Sequence, residues 1–241
     1  LFRSAGIMKY KHLFIDADDT IFDYGAAERF SLLETFKLTG ISCSEDDAVL
    51  NYKGINTELW KEFEKGSISL AFLRVERFKR LFLACGKPGL TEEDYGRSAM
   101  TYLDYLGNSS HMIEGAADIL EKLSRRYHLT LITNGISSVQ RSRLKAAGIE
   151  KYFKKIVISE EIGFKKPDRK FFDEALRQNS NPVNEEILVI GDSLSSDILG
   201  GINYGLDTCW YNPEGKTNTS GITPEYEISS LDELLKIVEF T

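Results

Sequence analysis

The sequence predicts an α/β fold, a parallel sheet with helices on both faces, carrying a separate block of helices within it. Three observations predict it. From Gly115 onward, short runs rich in aliphatic and β-branched residues alternate with amphipathic stretches, as strands buried on both faces alternate with their crossover helices. From about Tyr24 to Asn108 the apolar residues recur almost wholly at helical spacing, over a length that suits a domain of its own. Finally, the predicted strands end in distinctive polar residues, and the C-terminal strand ends of an open parallel sheet share one edge.

Taken in order, HLFI (12–15) is the first strand, a short apolar run that stops at a cluster of acids. The helical block then contains AAERFSLLETFKLTG, a stretch around NTELWKEFEKG, SLAFLRVERFKRLFLACG and EEDYGRSAMTYLDYL. Ser67 and Thr91 stand where N-caps are expected, and Gly40, Gly66 and Gly86 where helices should stop. Phe72, Phe78 and Phe82 recur at helical intervals and are expected in the core of this block. Beyond it, the predicted elements run helix AADILEKLSRRY, strand LTLIT, helix SSVQRSRLKAAG, strand KIVIS, helix DRKFFDEALRQ, strand ILVIG, helix SSDILGGINYG and strand DTCWYN, with SLDELLKIVEF as a closing helix. Since HLFI joins this sheet, residues 8–23 and 109–241 form the expected core and residues 24–108 an insertion after its first strand. Met8 reads as the native start, with residues 1–7 an extension or a remnant of cloning.

The composition, 42% hydrophobic and 28% charged in 241 residues, is that of a soluble globular protein. No apolar run approaches the ~20 residues of a membrane span, and the N-terminus lacks the apolar core of a signal peptide. Cys43, Cys85 and Cys209 are odd in number and widely spaced, and read as thiols in a reducing cytoplasm. The net charge of −7 argues against nucleic-acid polymers and anionic membranes as partners. A small anionic substrate remains compatible, provided a local cation meets it.

The strand ends supply that possibility. The first strand ends at Asp16-Ala17-Asp18-Asp19-Thr20, the second at Thr133-Asn134-Gly135, and the fourth at Gly191-Asp192, with Asp197 five residues past Asp192. Lys166-Pro167-Asp168 follows the third after a short loop. Asp16, Asp18 and Asp192 cannot converge as anions without a cation or shifted pKa values. All-oxygen ligation without His or Cys points to Mg²⁺, which commonly faces a substrate phosphate. A carboxylate can attack phosphorus, and a lysine, a hydroxyl and backbone N–H groups can stabilise the charge that develops.

On these residues the chain resembles the haloacid dehalogenase superfamily. DADDT, LTLITNG, GFKKPD and VIGDSLSSD are similar to its four motifs and occur in its order. The resemblance implies a Rossmann-like core with an α-helical cap and a Mg²⁺-dependent aspartyl-phosphate mechanism. It makes Asp16 the nucleophile and Asp18 the general acid and base. Asp16, the backbone carbonyl of Asp18 and Asp192 would be the Mg²⁺ ligands. Thr133, Asn134 and Lys166 would bind phosphate, with Lys166 neutralising charge, while Asp197 would hold Lys166 or reach the metal through water. An acid two residues past the nucleophile favours phosphatases or phosphomutases, since an alkoxide leaving group needs a proton.

NTELWKEFEKGSIS with RVERF, VISEEIGFKKPDRKFF and SDILGGINYGLDTCWYN further resemble the pyrimidine 5′-nucleotidase branch. That branch implies nucleoside monophosphates as substrates; a sugar-phosphate or phosphoglycolate-type phosphatase is the alternative. A phospho-aspartate signalling module would also use acids and a lysine, but has no use for Asp18 or a cap. For reading the leaving group, Tyr24 at the cap entrance and Asn56 with Trp60, one helical turn apart, are the candidates. The plainer account puts Trp60 in the core and Asn56 on the surface. Asp19 and Asp23 are expected to shape the turn into the cap.

Overall fold

The computed structural model describes residues 9–39 and 43–240; the expectations for residues 1–8 and for Gly40 lie outside them. Gly25–Ser109 form one compact unit, inserted after the first strand, and the remaining described chain forms another.

Among the described residues, the core unit contains one six-stranded sheet. Its strands are β1 (His12–Ile15), β2 (His128–Thr133), β3 (Phe153–Ile158), β4 (Ile187–Gly191), β5 (Asp207–Tyr211) and β6 (Tyr226–Ile228), in the spatial order β3-β2-β1-β4-β5-β6. Every pairing is parallel. The helices between them are α5 (Ala116–Ser124), α6 (Ser137–Ala146), the single turn α7 (Ser159–Ile162), α8 (Arg169–Gln178) and α9 (Leu199–Tyr204), with α10 (Glu233–Phe240) closing the chain. Period-two alternation sorts the strand residues between two apolar layers. Leu13, Ile15, Leu129, Leu131, Leu188 and Ile190 pack with Ile119, Leu120 and Leu123 of α5 and Leu234 and Val238 of α10. Phe14, Ile132, Val157, Ile187 and Val189 pack with Phe171, Phe172 and Ala175 of α8. Both faces are thus covered, and β1 is buried after its first residue. The expected Rossmann-like architecture is borne out, with β6 as an added edge strand.

This strand order places the functional edge. The chain leaves β1 toward β2 and β3, then returns to β4 on the other side of β1. Connections after β1 and β4 diverge at this switch point, the place where ligands bind in open parallel sheets.

The inserted unit contains α1 (Tyr24–Thr39), whose first residue belongs to the core unit, with α2 (Glu45–Glu64), α3 (Leu70–Ala84) and α4 (Glu92–Asn108). Thr91 caps α4 through a reciprocal capping box with Asp94. The cap of α3 is Ser69 rather than Ser67, its hydroxyl accepting the Phe72 N–H at 3.1 Å. Phe78 and Phe82 are buried as expected, whereas Phe72, in the first turn of α3, is exposed. At its centre the buried Arg77 guanidinium lies 4.6 Å from the Tyr102 ring centroid, with Tyr52 and Phe78 also within cation–π reach.

Cys43 and Cys85 are bonded, with their Cα atoms 5.2 Å apart, and only Cys209 is a thiol. This corrects the reading of three isolated thiols. Cys43 precedes α2 and Cys85 follows α3, and the turn between these paired helices brings the start of one to the end of the other. For a sequence separation of 42 residues, the chain-entropy estimate of the crosslink's contribution is about 4 kcal/mol. Dithiothreitol should therefore lower the denaturation midpoint; equal midpoints with and without reductant would show that the bond does not form in solution.

Candidate active site

The site is assembled from the ends of β1, β2 and β4 and the loop after β3. Asp16 directly follows β1, and its N–H donates to Ile190 O on β4 at 2.9 Å. Asp192 directly follows β4. Thr20 staples the two turns, its hydroxyl donating to Asp16 Oδ2 at 3.4 Å and accepting the Asp192 N–H at 3.1 Å. The Trp210 indole N–H on β5 donates to the Asp192 carbonyl at 2.8 Å.

Lys166 is buried and uses all three ammonium hydrogens. They go to Asp16 Oδ1 at 2.5 Å, Asp197 Oδ1 at 2.6 Å and the Ile132 carbonyl at 3.0 Å. Asp197 lies in a π-helical turn at Leu194–Ile198 and also accepts the Ser193 N–H on Oδ2 at 3.2 Å. Gly191 makes this possible, because a Cβ there would lie 2.3 Å from the Asp197 carboxyl. Of the two roles expected for Asp197, the holding of Lys166 is the contact present.

Carboxylate oxygens of Asp16, Asp192 and Asp197 lie within 4.8 Å of one another. Burial pushes Asp16 up to about 8 against the pull of Lys166, with Asp197 and Asp18 pushing the same way as burial. Burial likewise pushes Asp192 up to about 9, reinforced by Asp16 and Asp197. Burial opposes the charged form of Lys166, but Asp16 and Asp197 outweigh it and hold the ammonium well above its ordinary value. Three carboxyls around one ammonium thus resist joint ionisation, a hard divalent cation would let them ionise together, and the donor set is all oxygen. The residues present fit Mg²⁺.

Thr133 is buried at the end of β2, and its Oγ1 accepts the Gly135 N–H at 2.9 Å, which leaves the hydroxyl hydrogen to donate elsewhere. The Asn134 carboxamide is committed in both directions to the Lys166 backbone. Its Nδ2 donates to Lys166 O at 2.9 Å, and its Oδ1 accepts Lys166 N–H at 2.8 Å. The carboxamide thus fixes the lysine loop to the end of β2, and it is the backbone N–H of Asn134 that is left for the expected phosphate.

Asp18 has a separate environment. It is half-buried, accepting from Gln140 Nε2 on Oδ2 at 2.6 Å and from Arg143 Nη1 on Oδ1. Gln140 and Arg143, three residues apart on α6, were not selected by the strand-end pattern. A signal existed: on a helical wheel both fall between the buried Val139 and Leu144, an unusual place for polar side chains. Asp19 adopts a left-handed φ of 57° and accepts the Tyr24 N–H on Oδ1 at 3.1 Å, as a turn residue should.

Tyr24, the first residue of α1, is half-buried at that turn. Asn56 and Trp60 belong to the helical unit, and neither has the environment that the plainer account expects. Asn56 is buried, donating from Nδ2 to Glu28 Oε2 at 3.1 Å and accepting from Arg77 Nη1 at 3.4 Å. Trp60 is half-buried, edge-on to Phe63 at 5.5 Å between centroids. Which residue of α2 is covered depends on what α1 and α3 present to it, and α1 presents a buried glutamate.

The parallel α/β core thus gathers aspartates around a buried lysine at its switch point, an acid-rich, all-oxygen site. The sequence profile of the haloacid dehalogenase-like hydrolases matches residues 13–211, and the chain belongs to this family. It is 38% identical over 234 residues to the pyrimidine 5′-nucleotidase PynA of Streptococcus pneumoniae, covering 96% of each chain. It is 34% identical over 235 residues to the pyrimidine 5′-nucleotidase YjjG of Escherichia coli, covering 96% of this chain and 99% of that one. The crystal structure of the HAD-hydrolase YfnB of Bacillus subtilis bound to magnesium superposes with a TM-score of 0.87 at 36% identity, covering 95% of this chain and 99% of the other.

Proposed function

We propose that this chain is a Mg²⁺-dependent phosphomonoesterase that hydrolyses nucleoside 5′-monophosphates, pyrimidine nucleotides preferred, through an aspartyl-phosphate on Asp16. The observation that carries the proposal is the division of labour between two carboxylates two residues apart. Asp16 is buried against a lysine that neutralises it, while Asp18 is held apart by its own donors. Such a split in environment is how two acids take on different roles.

The Asp16 carboxylate attacks phosphorus, the ester P–O bond breaks, and the leaving oxygen takes a proton from Asp18. Water then attacks the phosphoenzyme, giving its proton to Asp18 as the P–O bond to Asp16 breaks and inorganic phosphate is released. Asp16, Asp192 and the Asp18 carbonyl would hold Mg²⁺, which when bound offsets the charge of the phosphoryl oxygens. Lys166 lies against the nucleophile and shares that task, with Asp197 keeping it in place. The Thr133 hydroxyl and the backbone N–H of Asn134 serve the phosphate oxygens.

The nucleotide preference rests on the similarity to PynA and YjjG. Reading of the nucleoside falls to the helical cap, for which Tyr24 and Trp60 remain candidates; the Asn56 amide works within the cap, between Glu28 and Arg77. No helix of the described residues is long and apolar enough to cross a membrane. As separate parts of the proposal, the partner is a small phosphate monoester and the compartment is the cytoplasm. The test is a phosphate-release screen over nucleoside monophosphates and sugar phosphates with MgCl₂, repeated after chelation. Pyrimidine nucleotides should give the highest kcat/KM and chelation should stop release. Better activity on hexose or two-carbon phosphates would overturn the substrate class, and a stable phosphoprotein without turnover would indicate a signalling module.

A further inference from the structure

Gln140 and Arg143 grip both oxygens of Asp18, while the hydrogen bonds of Lys166 among the described residues go to Asp16, Asp197 and Ile132. Arg143 is fully buried, its guanidinium 4.1 Å from the Phe22 ring centroid. Its Nε and Nη2, and Gln140 Oε1, meet no hydrogen-bond partner among the described residues. Burying a guanidinium with donors unmet is unfavourable, and an apolar side chain against Phe22 would avoid that cost. Packing alone therefore does not account for an arginine here. The turn after β2 is shaped around the same arrangement, since a Cβ on Gly135 would lie 2.2 Å from Gln140 Nε2 and 2.9 Å from its Cδ and Cγ.

We propose that Arg143 and Gln140 are positioning residues for the reaction, locking the Asp18 carboxylate in the one orientation that transfers its proton to the leaving oxygen. The two sit one turn apart on α6, an element fixed in the core by Val139 and Leu144, so the clamp stands on a rigid element. Each carboxylate oxygen has two lone pairs, so accepting one bond apiece still leaves a place for the proton. The alternative, an Asp18 that turns in solvent, would reach the leaving oxygen only for part of the time.

The inference rests on the phosphatase reading, and the test separates the two. It compares kcat/KM, which reports the steps through transfer to Asp16, for a nucleoside monophosphate and for p-nitrophenyl phosphate. The nucleoside alkoxide needs a proton as it leaves; p-nitrophenolate does not. Arg143→Met should lower kcat/KM on the nucleotide by about 10²-fold, within the range of general acid catalysis, and on the aryl ester by less than about 5-fold. Gln140→Leu should act in the same direction more weakly, and carries the test should Arg143→Met fail to fold. Arg143→Lys should restore part of the nucleotide rate. Asp18→Asn sets the limiting ratio between the two substrates.

Equal losses on both substrates would overturn the positioning role and mark Arg143 as a structural residue. A parent enzyme active on neither would refute the phosphatase reading, and the positioning role with it.

Discussion

Asp16→Asn is expected to abolish phosphate release from every substrate the parent accepts, a loss of about 10⁴-fold or more, as for other covalent nucleophiles. The substitution keeps the volume and the hydrogen-bond reach of the side chain, so the variant should fold. Lys166 retains Asp197 and the Ile132 carbonyl as partners, which keeps the loop after β3 in place. The amide cannot form the acyl phosphate, so phosphoenzyme trapped from the parent by acid quench should be absent from the variant. Near-normal turnover would eliminate Asp16 as nucleophile. Phosphoenzyme in the variant would move the attack to another residue.

Lys166→Met is expected to damage both stability and turnover. The ammonium bridges two carboxylates in a buried site, with a third carboxylate oxygen inside the same 4.8 Å cluster. Removing one partner of a buried ion pair typically costs about 3–5 kcal/mol, because the remaining charge is left uncompensated. Loss of a preorganised cationic group beside the nucleophile adds a fall in kcat of about 10²–10³-fold. The two effects can be told apart with Mg²⁺. Added Mg²⁺ should recover much of the lost stability, since it can balance the same carboxylates, without recovering kcat. Denaturation midpoints with and without MgCl₂ read the first effect, and phosphate release at saturating Mg²⁺ reads the second. A variant as stable as the parent in the absence of metal would show that Asp16 and Asp197 are not held as anions by Lys166.

The sheet was legible in the sequence because its strands are buried on both faces. Such strands read as nearly unbroken apolar runs, and ILVIG and LTLIT leave little choice of structure. β6 escaped for the opposite reason, being a three-residue edge strand too short to show a period. In the helical block the periodicity located the helices but not their exact starts. Ser67 and Ser69 are chemically equal, and only the accepted Phe72 N–H distinguishes the cap. Phe72 sits in the first turn after that cap and is left in solvent, whereas Phe78 and Phe82 lie farther along the packed face of α3.

The candidate site divides in the same manner. Asp16, Thr133 and Asp192 could be selected because polar types are costly at the end of a buried strand and a parallel sheet brings such ends together, and Lys166 and Asp197 by their place in the motifs that the chain resembles. The direction of each side chain could not be read, since a carboxamide such as Asn134 binds an anion or a peptide equally well. The loop carrying Lys166 decided that it binds the peptide. The Cys43–Cys85 bond, the buried Asn56 and the Arg143–Gln140 clamp likewise depend on neighbours 42, 28 and 122 or more residues away.

Local sequence therefore decided which segments form strands and helices and which residues meet at the sheet edge. Periodicity and burial act over a few residues, and chain direction in a parallel sheet does the rest. Tertiary structure alone decided which atoms those residues touch. A hydrogen bond is set by ångström-scale distance and direction, and residues far apart in the chain provide both.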